Sequence, residues 1–231
     1  MRILFVAADK MEYAGLLANA TGVHTRRLKL HWAREARLSG HAVLLLANGA
    51  GAARAAAAVD AACGEFRPEA VVSTGFCGAL DPALTVAAVV VATRICGADS
   101  DYPALPVSSG LPFCAGPVRS IGHVARTAEE KRSLRATGAC AVEMEAAGVA
   151  ARVQELGLAF YCIRGVTDLA GETLENDFNQ ALRPDGHFGT ISILASALRY
   201  PAVRLPELVR LRRRCVLTSR ALGIFLANCR F

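Results

Sequence analysis

The sequence is poor in aromatic residues (6%), has three lysines (Lys10, Lys29 and Lys131), and holds no Cys-x-x-Cys pair and no run of about eighteen apolar residues. The last absence predicts that nothing spans a membrane. The eight cysteines, at 63, 77, 96, 114, 140, 162, 215 and 229, are scattered through apolar surroundings. A disulfide framework is therefore not expected, and the cysteines read as small core residues. Histidines 24, 31, 41, 123 and 187 show no ligand spacing, so no metal site is predicted. No Gly-x-Ser-x-Gly elbow occurs, and Cys77 reads as buried rather than nucleophilic. The opening MRILFVAADK has too short an apolar run for a signal peptide, which points to a reducing cytoplasm.

Acidic side chains are nearly absent from the end of the chain. From Arg199 onward eight arginines face Glu207 alone, whereas residues 1–198 hold 18 basic and 19 acidic groups. The net charge of +6 thus belongs to the tail, and a neutral body argues against nucleic acid as a partner.

What is present is apolar: 53% of 231 residues, dominated by Ala, Val and Leu. Continuous apolar runs read as buried strands at Arg2–Ala7, Ala42–Ala47, Ala70–Thr74, Val86–Thr93 (within the greasy stretch Leu84–Ala92), Cys140–Met144 and Ala159–Thr167. Helical patterns fall between them: 52–66, a short helix opened by the capping pattern Thr127–Glu130, and 145–156. Residues 98–117, with four prolines, read as loop. The order predicts a single α/β domain with a mixed, mostly parallel central sheet flanked by helices.

Strands of such a sheet present ligands at their carboxyl ends. Glu12, the glycine turn Gly75-Phe76-Cys77-Gly78, Glu145 and Asp168 all fall at such ends. In Val142-Glu143-Met144-Glu145, one acid is explained by the helix dipole. A Glu-Met-Glu run among apolar neighbours requires that a carboxylate face a cavity or a partner. Arg164 and Asp168 close the strand FYCIRGVTD, as an internal ion pair or as site residues. The loop Asn48-Gly49-Ala50-Gly51 lacks the third glycine of a dinucleotide fingerprint and the Gly-Lys-Ser/Thr of a P-loop, and reads as close strand–helix packing.

Four segments, ADKMEYAGLL (8–17), NGAGAARAAA (48–57) running on to STGFCGAL (73–80), AVEMEAAGVA (141–150) and FYCIRGVTD (160–168), together resemble the nucleoside phosphorylase and nucleosidase superfamily. The likeness is greatest to its methylthioadenosine/adenosylhomocysteine nucleosidase branch, and the sequence is also similar to phosphorylase-like proteins associated with hopanoid lipid synthesis. The resemblance implies a nucleoside phosphorylase-like domain over 1–198 and cleavage of an N-ribosidic bond in an adenosine-type nucleoside. It implies Asp168 as the general acid for the leaving adenine, its pKa raised by burial, and Glu145 as the carboxylate on the ribose hydroxyls. Glu12 becomes the base that activates the nucleophile, with Arg164 positioning it. Met144, Gly78, Phe160 and Thr167 are expected to line the base and ribose pocket.

Phosphate as nucleophile needs a cationic cradle, and Lys10 is the only cation in the first strand–helix loop or before the glycine turn. Water is therefore the expected nucleophile, with no metal or organic cofactor. Phosphate would be the co-substrate of the alternative, a phosphorylase, and a non-catalytic nucleoside-binding protein is the second alternative. Phe76 stands where the nucleosidase branch has a small residue. Val124 is left to fill the place of an aromatic adenine clamp. Both point to a reshaped site that takes a bulky apolar 5′ substituent such as a hopane. Residues 199–231 read as a basic helical extension starting at Pro206. Leu208, Leu211, Cys215, Leu222, Phe225, Leu226 and Cys229 form an apolar stripe opposed by Arg210, Arg213 and Arg214. That stripe would pack on the domain, on a partner subunit of a homo-oligomer, or on anionic lipid.

Overall fold

The first strand, β1 (Arg2–Ala7), is buried from Ile3 onward, as an apolar run covered on both faces must be. The computed structural model describes residues 1–231. A 3-10 turn over Lys10–Tyr13, capped by Asp9, leads into α1 (Ala14–Ala18). Two strands unforeseen in the sequence follow, β2 (Thr21–Thr25) and β3 (Trp32–Leu38). Only Ala33, Ala36 and Leu38 of β3 are buried, so its alternation is carried by small residues between charges.

Next come β4 (His41–Ala47), α2 (Ala52–Phe66) and β5 (Ala70–Ala79). The glycine segment 75–79 is therefore strand rather than turn, because neighbours on both sides pair with it. The strand expected from Val86 begins later, as β6 (Val89–Cys96). Ala87, at φ 67°, lies outside extended geometry and leaves 84–88 as a turn. The proline-rich stretch contributes β7 (Asp101–Pro103), β8 (Ser108–Ser109) and β9 (Cys114–Ser120). Then come α3 (Ala128–Arg135), with Thr127 accepting from the Glu130 amide, β10 (Ala141–Glu143), α4 (Ala146–Glu155) and β11 (Ala159–Asp168). The chain closes with α5 (Phe178–Ala181), α6 (Thr190–Ala197), α7 (Pro201–Ala227) and β12 (Cys229–Arg230), which pairs with β8.

The main sheet runs β10-β9-β6-β11-β5-β1-β4-β3-β2. It is parallel through β4, β1, β5 and β11 and antiparallel toward β3 and β2. A further pairing of β10 with β5 closes β5, β11, β6, β9 and β10 into a ring. One face of the sheet is covered by α2 and α4, whose Ala55, Ala58, Val149 and Val153 join the larger core. The other face is covered by the 3-10 turn, α1 and α7 through Tyr13, Leu16, Leu222, Phe225 and Leu226.

Helix α7 begins at Pro201, five residues before the expected start, and carries Pro206 within it. It lies so close to α1 that a Cβ on Gly223 would stand 2.0 Å from the Gly15 carbonyl carbon, and one on Gly15 1.9 Å from the Ser219 carbonyl oxygen. Ser219 Oγ accepts from the Gly15 amide and donates to the Glu12 carbonyl. Leu222, Phe225, Leu226 and Cys229 of the predicted stripe are buried here, so the stripe faces the sheet and not solvent. Arg214, expected on the opposite side, turns inward to Glu172 at 2.7 Å. No helix is long and apolar enough to cross a membrane. All eight cysteines are free.

Candidate functional site

The carboxyl ends of β1, β5, β10 and β11 surround a cavity of about 710 Å³. Glu12, Phe76, Gly78, Val124, Met144, Glu145, Thr167 and Asp168 all line it. The structure thus brings together eight of the ten residues singled out from the sequence.

Glu12 is aimed by its turn. Its Oε2 accepts from the Ala8 and Asp9 amides, both at 2.9 Å, and Oε1 accepts from the Phe76 amide at 2.7 Å. Gly75 makes room for it: at φ +125°, a Cβ there would stand 2.4 Å from Glu12 Oε1. Burial pushes the Glu12 carboxyl above its ordinary range, against the amide bonds and Arg164, which favour the anion.

Glu143 and Glu145 divide the roles that the sequence left open. Glu143 Oε2 accepts from the Glu145 and Ala146 amides, both at 2.8 Å, and so closes the start of α4. Glu145 lines the cavity, with Oε1 on the Gly51 amide at 3.1 Å and Oε2 on Arg164 Nη1 at 3.3 Å. The Gly49–Gly51 loop therefore supplies a donor to Glu145. Burial raises Glu145 to about 7; Arg164 opposes the rise, while Glu143 and Glu12 add to it.

Arg164 does not reach the cavity. It is fully buried behind the wall, bonded to Glu143, Glu145 and Ser73. Burial works against its charge, but Glu143, Glu145 and Glu12 outweigh that and hold it protonated. It anchors Glu145 rather than a nucleophile. Phe160 is also misplaced by the sequence reading: it is the second residue of β11, pairs with Val71 and lies in the larger core. Eight residues of strand, about 26 Å, separate it from Asp168.

Asp168 owes its direction to an irregularity. The register of β11 on β5 shifts between Val166 and Asp168, so Thr167 is the extra residue and Asp168 falls opposite Gly78. A Cβ on Gly78 would stand 2.8 Å from Asp168 Oδ2, so this glycine also accommodates a carboxylate. Thr167 Oγ1 donates to Asp168 Oδ1 at 3.1 Å. Lys131 Nζ, unforeseen in the sequence, donates to Oδ2 at 2.5 Å. The neighbour of the acid is thus a cation.

Val124 contributes only its side chain, since its amide and carbonyl are both held by Asn179. The aromatic wall comes instead from Phe178 and Phe188, edge to face at 6.2 Å, and from Phe76. Leu174, Ile193, Leu208, Leu211, Arg212 and Cys215 add to the lining, the last four from α7. No periodicity marks these residues as site residues. Lys10 is exposed and outside the cavity. Burial holds the Cys77 thiol well above its usual range, which leaves it inert.

The phosphorylase superfamily pattern matches residues 2–120 and 108–186. A 5′-methylthioadenosine/S-adenosylhomocysteine nucleosidase of Geobacillus kaustophilus is 27% identical over 212 residues, covering 79% of this chain and 90% of its own. A protein of the same description from Bacillus cereus is 30% identical over 175 residues, 63% of this chain and 76% of that one. Among solved structures, the Neisseria meningitidis nucleosidase in complex with methylthio-immucillin-A shares the fold at a TM-score of 0.66, with 22% identity over 90% of this chain and 98% of its own. A futalosine hydrolase mutant of Helicobacter pylori shares it at 0.68, with 15% identity and 96% of each chain covered. With that pattern spanning the strands whose ends build the cavity, the chain belongs to the phosphorylase superfamily of nucleoside phosphorylases and nucleosidases.

Proposed function

We propose that the protein hydrolyses the N-ribosidic bond of an adenosine-type nucleoside and releases adenine. The observation that carries this reading is the convergence of Glu12, Glu145 and Asp168 on one cavity. Cleavage passes through a sugar with oxocarbenium character, so the three acids have three tasks. Asp168 gives a proton to a ring nitrogen of the leaving base. Glu145 holds the ribose hydroxyls and stabilises the positive charge that develops on the sugar. Glu12, raised by burial, takes a proton from the attacking water. Met144 packs on the ribose, and Phe76, Phe178, Phe188 and Val124 enclose the site.

Water is the nucleophile in this reading because the cradle for phosphate is missing. Arg164 is saturated by carboxylates and Ser73, Lys10 lies outside, and Arg212 is left as the single Arg or Lys of the lining. In this reading the reaction uses no metal or organic cofactor. The 5′ substituent is bulky and apolar, a hopane being one such group. This is supported by Leu174, Ile193, Leu208 and Leu211 around a cavity large for a nucleoside alone. The protein works in the cytoplasm as a homo-oligomer, docked on lipid through the outer side of α6 and α7.

Chromatography of products from a panel of 5′-substituted adenosines, with and without phosphate, tests the reading. Adenine and free ribose derivative in phosphate-free buffer, lost in Asp168→Asn, are expected. Turnover that requires phosphate makes it a phosphorylase. Binding without turnover makes it a nucleoside-binding protein.

A further inference from the structure

The residue on which the acid rests is a lysine, and nothing in the proposed chemistry yet uses it. Lys131 is one of three lysines in the chain and the single buried residue of α3. Its side chain is 0% exposed. Lysine is among the residues least often found fully buried, and then it is paired. Here Nζ donates to Asp168 Oδ2 at 2.5 Å and to the Leu169 carbonyl at 2.9 Å. Anchoring α3 alone would be served by a leucine or methionine, with no ion to desolvate.

We propose that Lys131 is a positioning residue for the acid, a role that rests on the nucleosidase reading above. Its ammonium holds the Asp168 carboxyl by Oδ2 and stabilises the carboxylate that remains once the proton has gone. In the step itself, the Asp168 O–H bond breaks and a ring N–H bond forms on the base. The bond from the sugar carbon to the base breaks with its electron pair going to the base. Asp168 is left as an anion, and Lys131 keeps its three protons throughout. The water oxygen bonds to that sugar carbon, and the proton it loses goes to Glu12. Lys131 does not line the cavity, so it acts on substrate only through Asp168. Thr167 fixes the other oxygen, so the carboxyl is held at both ends.

The test is the pH profile of adenine release by wild type, Lys131→Met and Lys131→Arg. Lys131→Met is expected to lower kcat at neutral pH by about 10²-fold or more, the usual scale for general acid catalysis. KM should stay within a few-fold. The alkaline limb of its pH profile should differ from that of wild type, since no cation then faces the carboxyl. Lys131→Arg should keep the wild-type limb. Should Lys131→Met not fold, Lys131→Gln, which keeps donors without charge, is read in the same way. A variant without the charge whose limb superimposes on wild type, whatever its kcat, overturns the role of Lys131 alone. A wild-type protein that releases no adenine from any substrate overturns the nucleosidase reading and this one together.

Discussion

Glu143 and Glu145 stand two residues apart, share Arg164, and meet opposite demands. Glu143 is spent on helix amides and a guanidinium, so its loss exposes Arg164 as a half-paired buried charge. Glu143→Ala is expected to cost about 3–5 kcal/mol of stability, the scale for breaking a buried pair. Thermal unfolding would read this as a fall of roughly 10 °C. Glu145 faces the cavity and ionises near 7, so below that pH it is neutral and offers no negative charge to the sugar. Adenine release should therefore rise with pH through about 7. In Glu145→Gln the rise should vanish and the rate fall by about 10²-fold, the loss typical of a transition-state electrostatic contact. The glycines at 75 and 78 belong to the same scale: each leaves a space that a carboxylate occupies. Gly78→Val should displace Asp168 and abolish adenine release while the protein remains folded, as judged by circular dichroism.

At the scale of elements, the irregular features place the chemistry. The shift in β11 presents Asp168 beside Gly78, and the 3-10 turn after β1 presents Glu12 beside Gly75. Helix α7 reaches both: Ser219 bonds the Glu12 carbonyl, and Thr218 Oγ1 donates to the Val166 carbonyl at 2.8 Å. The tail helix is thus part of the site. Gly223→Val would force α7 from α1, at about 1–3 kcal/mol for overpacking. A loss of about 2–10 °C in the unfolding midpoint is expected, together with reduced adenine release because Glu12 moves with its turn. Unchanged activity in a destabilised Gly223→Val protein would show that α7 supports the fold without tuning Glu12.

Seen as a whole, the molecule carries a run of arginines over α6, α7 and the link between them with no exposed acid among them. Between Thr190 and Ala227 the only acid is Glu207, and it is 2% exposed, held by the Glu175 and Asn176 amides. Outward from this region point Arg199, Arg213 and Arg220, while Arg210 pairs with Glu207 at 3.7 Å. Between them lie Ile191, Leu194, Leu198, Val209, Val216 and Leu217, all exposed, with Ile191 at 85%. Ile193 and Leu208 on the same helices line the cavity, so lipid contact here would place the entrance beside an apolar 5′ group. Arg213→Glu together with Arg220→Glu should weaken binding to anionic vesicles by at least about thirtyfold, taking about 1 kcal/mol for each arginine at the surface. Co-sedimentation that is unchanged, or absent in wild type, would remove lipid as the occupant. Deleting the helix is a poorer test, because α7 also covers one face of the sheet.

The alternation of apolar runs with helical patterns was enough to determine the class of fold, most strand positions and the rim where the acids meet, because burial on both faces forces continuous apolar strands. The motifs around Glu12, Glu145 and Asp168 were legible for the same reason: a carboxylate inside an apolar segment demands a cavity or a partner. Only the tertiary structure decided what each acid touches. Lys131 sits in an ordinary charged helix, AEEKRSLR, and nothing in that pattern says that its lysine turns inward. The resemblance implies Phe160 as a site residue, yet strand length carries it to the end of β11 away from Asp168. The apolar stripe of the tail was visible, but whether it met lipid, a subunit or its own sheet depended on the close approach of Gly15 and Gly223. Such contacts join residues some two hundred positions apart, and local pattern holds no record of distances of that kind.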